Sequence, residues 1–387
     1  MRESVVPKTQ ADRKSTWAVW VRFTRSMEVD PYLHLYDGDK LHFFIVFAMR
    51  YRRGQLAKNR KHNPVTGKRV EEALRAIGTQ FTLMGEPDPR LTSGQKYVGR
   101  LRMLFQNFSK ADPAADRRAP CCLTILRALP QVLKDQDKGY ADAVTDLSVM
   151  AFYFLCRPGE YAKSTADEPG RSTPFRLKDV SFGTNTRKNL NAATCSLHDV
   201  RQSTYVSLLF TDQKNCVKGE TVGHRSSGDA RWCPVRALAR RVEYLRLANA
   251  PADTPLFTYY DRHSQPKYVT TLDITNCLRQ AAKAVFHTTG IPPSKITGQS
   301  LRSGGATALL CANWDRDKVQ LLGRWQSDAM LRYLRLQAMQ ITSQAAKAML
   351  QHGCYTFHPD TKEHDLDSLP QETPTPLLNV LQAGILA

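Results

Sequence analysis

Several things are missing from this sequence. It has no Cys-x-x-Cys pair, no apolar run of the ~18 residues that a bilayer crossing needs, and no repeat at solenoid periods. Its nine cysteines (Cys121, Cys122, Cys156, Cys195, Cys216, Cys233, Cys277, Cys311, Cys354) are scattered and odd in number. That favours reduced thiols in an intracellular compartment and disfavours a zinc ribbon. His198, Cys216, His224 and Cys233 lie loosely near one another, but their spacing matches no standard ligand set, so no metal is expected. Met1 to Arg13 is polar and unlike a secretory leader, so a soluble protein is expected, neither secreted nor membrane-spanning. No RNP, KH or GxxG-type signature marks an RNA-binding module. Acidic residues are also scarce: 36 Asp and Glu stand against 55 Lys and Arg, a formal net charge of +19. Such an excess favours a polyanionic partner, because each phosphate neutralised releases condensed counterions.

What is present reads as an ordinary globular chain, 42% apolar and 24% charged, with length enough for two domains. In the first third, apolar residues recur at helical spacing: Trp17, Trp20, Val21; Leu41, Phe44, Ile45, Ala48, Met49; Val70, Leu74, Ile77, Phe81; Tyr97, Leu101, Leu104, Phe105, Phe108. These predict a small bundle of four amphipathic helices over 15–112, after a flexible N-terminus at 1–14. Between the second and third helices, residues 50–69 carry Arg50, Arg52, Arg53, Lys58, Arg60, Lys61, Lys68 and Arg69 with no acidic residue. The stripe suits phosphate tracking or a solvated basic face equally, and Lys58 to Lys61 would also suit nuclear import. Residues 113–120, with Pro113 and Pro120, read as a linker. The second domain, 121–352, reads as mainly helical with a small β-sheet. Helices are expected from about Asp142 to Cys156, Pro234 to Leu247, Asp273 to His287 and Ser300 to Ala312. A β-hairpin is expected from Tyr205–Phe210 and Thr221–Arg225 around Gly219. The remaining residues, 353–387, turn Pro-rich and acidic and read as a tail.

Four places carry chemistry. Arg157 follows a strongly apolar helix and precedes Pro158, which holds a guanidinium at the rim of a buried element; a structural pair with Glu160 accounts for it as well. Lys214, with Lys218 four residues on, lies in the hairpin turn, where a lysine reaches a ligand or stays wet. Ser300 suits an N-cap that puts Arg302 in a first helical turn. Gly304 and Gly305 beyond it admit either an anion or a neighbouring backbone. Gly323 suits a helix stop and Ser327 an N-cap, so Tyr333 falls in the second turn of a new helix. There it is an edge residue surrounded by Arg324, Arg332 and Arg335.

Taken in order, Arg157-x-x-Glu160, a hairpin lysine, Ser300-Leu301-Arg302-x-Gly304-Gly305 and Gly323 followed at the tenth residue by Tyr333 resemble the tyrosine recombinases. The wording from Gln299 to Ala306 and from Leu322 to Arg335 is most similar to the eukaryotic, crypton-type branch of mobile elements. The resemblance implies a helical clamp domain and a mainly helical catalytic domain around duplex DNA, and a dimer or tetramer on that DNA. It implies no cofactor, and a nuclear location if the host is eukaryotic. It implies that Arg157 and Arg302 hold the scissile phosphate, that Lys214 (preferred to Lys218) protonates the departing 5′ oxygen, and that Tyr333 attacks phosphorus to give a 3′-phosphotyrosine. Arg50, Arg52, Arg53, Lys58, Arg60, Lys61, Arg324 and Arg332 would contact DNA. Two positions depart from the family pattern. Gln299 stands where His is usual, and Arg324 stands where His or Trp follows the glycine, with Trp325 next in line to take that role. A DNA-binding relic that no longer cuts, and a type IB topoisomerase, share these features.

Overall fold

The computed structural model describes residues 7–34, 38–56, 64–113, 118–164, 173–187, 189–211, 219–312 and 314–325. The chain divides into two compact units, Met1–Arg117 and Arg118–Ala387.

The first unit holds helices α1 (Pro7–Arg25), α2 (Leu41–Arg52), α3 (Gly67–Leu83) and α4 (Gly99–Ala111). Proline at the first helical position carries a preset φ, and α1 accordingly reaches into the stretch expected to be a flexible N-terminus. The apolar faces meet in an aromatic core of Trp20, Phe23, Phe44, Phe47 and Phe81. The Trp20 ring lies 4.9 Å from Phe44, and its indole N–H donates to the Pro31 carbonyl at 2.8 Å. Met49, expected on this face, is exposed, and Phe47 is buried instead.

The second unit holds α5 (Leu123–Val132), α6 (Lys138–Tyr153), α7 (Pro158–Tyr161), β1 (Val180–Gly183), β2 (Leu190–Asn191), α8 (Leu197–Gln202), β3 (Tyr205–Phe210), β4 (Glu220–Arg225), α9 (Pro234–Leu247), β5 (Thr258–Tyr260), β6 (Pro266–Tyr268), α10 (Thr271–Ala284), α11 (Phe286–Thr289), α12 (Gln299–Cys311) and α13 (Arg316–Leu322). It is mainly α with a small antiparallel sheet in the order β2-β1-β3-β4, the fold class the sequence predicts. The hairpin pairs Leu208 with Val222, and Gly219 at φ 74° closes its far side.

Helix α6 is buried from Ala143 to Phe152 and packs against α9 and α12, with its buried Asp146 carboxylate paired to Arg240 of α9 at 2.5 Å. It starts earlier than its apolar run suggests, because the Asp137 carboxylate accepts from the Tyr140 N–H at 3.0 Å and caps it. It also ends earlier, at Tyr153. Leu155 then takes a left-handed φ of 50°, so Arg157 opens α7 instead of closing α6. Ser300 is not the N-cap of α12 either: the helix begins at Gln299, and the Ser300 hydroxyl accepts from the Thr297 N–H at 3.0 Å. A Cβ on Gly304 would strike the Cys121 backbone, and one on Gly305 the Phe152 carbonyl. The Gly-Gly pair therefore serves close backbone packing. Residues 118–120, read from sequence as linker, join the second unit, where the Ala119 N–H donates to the Lys295 carbonyl at 3.0 Å.

Candidate active site and nucleic-acid interface

The expected catalytic residues that the structure describes gather where α6 ends. Pro158 at the first position of α7 leaves Arg157 extended, with φ −82° and ψ 151°. Glu160 closes the turn: one carboxylate oxygen accepts the Arg157 backbone N–H at 2.7 Å, and the other accepts the Arg157 guanidinium at 3.0 Å. Glu160 is 1% exposed while the Arg157 side chain is 19% exposed, so the acid is the fixed member and the cation sits at the rim. The neighbouring Tyr161 hydroxyl donates to the Gly298 carbonyl at 3.0 Å, which ties α7 to the start of α12 and thus Arg157 to the element that carries Arg302.

Arg302, fourth in α12, is 1% exposed, and its guanidinium donates to the carbonyls of Leu155 and Gly323. The first-turn position expected from an N-cap at Ser300 is therefore replaced by an inward one, fixed by the α6 terminus and the end of α13. The Trp325 ring lies over this guanidinium at 4.3 Å, a cation–π contact. Gly323 is required beside it, because a Cβ there would enter the Trp325 ring.

Arg324 was expected among the residues that contact DNA. It is buried at 5% exposure, and its guanidinium lies 3.6 Å above the Phe210 ring. It donates to the Phe154 carbonyl at 3.0 Å, the Leu155 carbonyl at 3.2 Å and Glu160 at 3.4 Å. Burial holds its pKa below the ordinary arginine value, against the opposing pull of Glu160. Arg157 and Arg324 thus share the Glu160 carboxylate, and Arg324 and Arg302 share the Leu155 carbonyl, leaving a net positive, partly dry cluster suited to attracting an anion. Cys156 beside them is no nucleophile at neutral pH, since burial pushes its thiol well up.

Gln299 is half-buried and lines an open cleft of about 420 Å³ with Pro158, Gly159, Thr275 and Thr297. Its amide is a hydrogen-bonding group and no base. His224 on β4 packs edge-on to Phe154 at 4.7 Å, and burial pushes its pKa down to about 4, so it is neutral at pH 7. Lys214, Lys218, Arg332 and Tyr333 lie outside the described residues. Among the described residues no group of His, Cys, Asp and Glu is placed to hold a metal ion, and no helix is long and apolar enough to cross a membrane.

In the first unit the cationic stripe splits by role. Arg50 and Arg53 are exposed, with Arg50 5.9 Å from the Phe23 ring. Arg52 turns inward to an ion pair with Asp112 at 2.5 Å, a hydrogen bond to the Val65 carbonyl and a position over Phe108 at 5.5 Å. Asp112 in turn accepts the Gly67 N–H at 2.8 Å, so Arg52 links the ends of α2 and α4 to the start of α3. Lys58, Arg60 and Lys61 lie outside the described residues.

In the sequence Glu160 shows only as a partner for Arg157; its second partner, Arg324, and the shared Leu155 carbonyl emerge only from the fold. The Arg-x-x-Glu spacing was the available signal, because an acid three residues into a helix returns to the N-cap backbone.

No protein-family model matches the chain, and no curated protein does. Among solved structures, it is similar to the Tn1549 transposon integrase (residues 82–397) in complex with transposon right-end DNA, at 10% identity and a TM-score of 0.45, over 82% of this chain and 87% of that one. It is similar to XerA recombinase at 13% identity and 0.36, over 89% and 100%. It is similar to a lambda integrase tetramer bound to a Holliday junction at 14% identity and 0.37, over 84% and 78%.

Proposed function

We propose that this chain is a DNA strand-transfer enzyme of the tyrosine recombinase type, acting on duplex DNA as a dimer or tetramer and serving integration or excision of a mobile element. The observation that carries the reading is the convergence of Arg157, Arg302 and Trp325 just beyond the end of α6: Arg157 is held by the buried Glu160, Arg302 by the Leu155 carbonyl, and Trp325 lies over Arg302. A phosphodiester repels nucleophiles, and fixed guanidiniums stabilise the charge that grows on its oxygens as it is attacked.

In this mechanism a phenol, whose pKa is ordinarily near 10, must give up its proton to attack, and Tyr333 passes it to solvent as its oxygen bonds to phosphorus. The bond between phosphorus and the 5′ oxygen breaks, and Lys214 protonates that departing oxygen, which leaves as a 5′ hydroxyl. The 3′-phosphotyrosine keeps the phosphodiester bond energy, so a DNA 5′ hydroxyl reverses the step on the same or another strand. Gln299 hydrogen-bonds phosphate from the cleft beside Pro158. Trp325 stands against Arg302, and Arg50, Arg53, Lys58, Arg60, Lys61 and Arg332 track phosphates. The wording of the two closing motifs supports a kinship with crypton-type elements, for which a nuclear location in a eukaryotic host is the corresponding proposal.

One observation favours a second reading, a DNA-binding relic: the Arg302 guanidinium is buried on two carbonyls, and Gln299 offers no base. The test is a nicked suicide duplex made from the DNA that flanks the gene. The enzyme traps itself as a covalent adduct, the relic binds without one, and a topoisomerase relaxes any supercoiled plasmid without site preference.

A further inference from the structure

Arg324 occupies the place after Gly323 from which a side chain would be expected to face phosphate, and the fold turns it the other way. Its backbone is left-handed, with φ 56°, a conformation that an arginine holds only when its surroundings dictate it. Those surroundings are the carbonyls of Phe154, Leu155 and Leu322, the Phe210 ring and the carboxylate of Glu160. Glu160 is shared. One oxygen holds the Arg157 guanidinium; the other, at 2.7 Å from the Arg157 N–H and 3.4 Å from Arg324, holds both. The Leu155 carbonyl is shared as well, accepting from Arg302 and Arg324. The same left-handed residue sends the chain on so that Trp325 comes to lie over Arg302.

We infer that Arg324 is a positioning residue and no phosphate ligand: it locks the stretch Gly323 to Trp325 onto the turn that presents Arg157, and hands the place beside Arg302 to Trp325. This rests on the strand-transfer reading for what the lock serves, although the lock itself is a matter of packing. A planar guanidinium is needed, because it donates in several fixed directions at once to carbonyls and a carboxylate; an ammonium is a point charge and cannot span them. A phosphate ligand behaves differently: lysine in its place keeps most of the attraction.

The test uses the full chain with Arg324→Met, Arg324→Lys, Glu160→Gln and the double variant Arg324→Met/Glu160→Gln. Two quantities are read: the salt dependence of duplex binding, and the rate of covalent adduct formation at saturating duplex. The expected result is a log K against log salt slope equal to wild type in all variants, with adduct formation slowed about 100-fold or more in Arg324→Met and Arg324→Lys alike. The double variant should be no slower than the slower single one, since both remove the same lock. The inference is overturned if Arg324→Met lowers the slope by about 0.9, the signature of one lost phosphate contact, or if Arg324→Lys cuts nearly as fast as wild type. Should Arg324→Met not fold, Arg324→Lys carries the same decision. If wild type forms no adduct, the strand-transfer reading fails separately. The salt slope, and the non-additivity of the Arg324 and Glu160 changes in urea unfolding, then decide the lock alone, with full additivity refuting it.

Discussion

Replacing Gly304 by alanine sets helix propensity against packing, and the two predict opposite signs. In the middle of α12 alanine is favoured over glycine by about 1 kcal/mol, so propensity alone predicts stabilisation. The new Cβ would stand 2.8 Å from the Cys121 carbonyl carbon and 3.0 Å from its nitrogen, and nearer still to its oxygen, where ordinary contact begins near 3.4 Å. The Cys121 backbone, just ahead of α5, would have to retreat by more than an ångström at its oxygen, yet its N–H is bonded to the Ser300 carbonyl of α12 at 2.8 Å. Retreat therefore sacrifices a buried hydrogen bond, worth about 1 kcal/mol net and more if the group is left unpaired, on top of about 1–3 kcal/mol of overpacking. Subtracting the propensity gain leaves a net loss of about 1–3 kcal/mol, and more if the Cys121 N–H is left unpaired. Equilibrium unfolding in urea, followed by tryptophan fluorescence, reads this directly as a lower midpoint. Gly159→Ala, where a Cβ meets nothing within 4 Å, is the control and should change stability by well under 1 kcal/mol. If Gly304→Ala were as stable as wild type or more so, the close approach of α12 to Cys121, and with it the placement of Arg302, would be wrong.

Other outcomes follow from the same contacts. Arg52→Ala should destabilise the first unit by about 1–3 kcal/mol, because it leaves the partly buried Asp112 carboxylate without its cation. Arg53→Ala should leave the melting temperature unchanged and lower the salt slope of duplex binding by about 0.9; the reverse pattern would refute the division of the stripe. His224 binds a proton less readily in the folded chain (pKa about 4) than in the unfolded chain (about 6.5), so its stability contribution is full above about pH 6.5 and is lost as pH falls towards 4. The stability of wild type relative to His224→Phe should therefore fall by about 2 kcal/mol between about pH 7.5 and about pH 5, and a constant difference would show that the imidazole is solvated.

The bundle helices, α9, α10, α12 and the β3–β4 hairpin were legible because periodicity and punctuation agree there: α9 runs Pro234–Leu247 as its apolar spacing and opening proline suggest, whereas α5 and α8 were not read. The β5–β6 hairpin was missed, since strands of three residues cannot show alternation. Within the site, motif order brought out Arg157, Arg302 and Trp325, which the fold brings together. The direction of Arg324 was illegible for a specific reason. It depends on one left-handed backbone angle, and a left-handed glycine announces itself in sequence where a left-handed arginine does not. The same holds for Leu155, whose φ of 50° ends α6 early and exposes the carbonyl that two arginines share.

In the strand-transfer reading, Tyr333 is the residue proposed to be joined to DNA. The most direct measurement is to trap the full chain on a 3′-labelled nicked suicide duplex from the DNA flanking its gene, digest it with protease and nuclease, and locate the nucleotide by mass spectrometry. The account predicts a phosphodiester on the phenolic oxygen of Tyr333, absent in Tyr333→Phe. A label on any other residue, or an adduct that survives Tyr333→Phe, would contradict it.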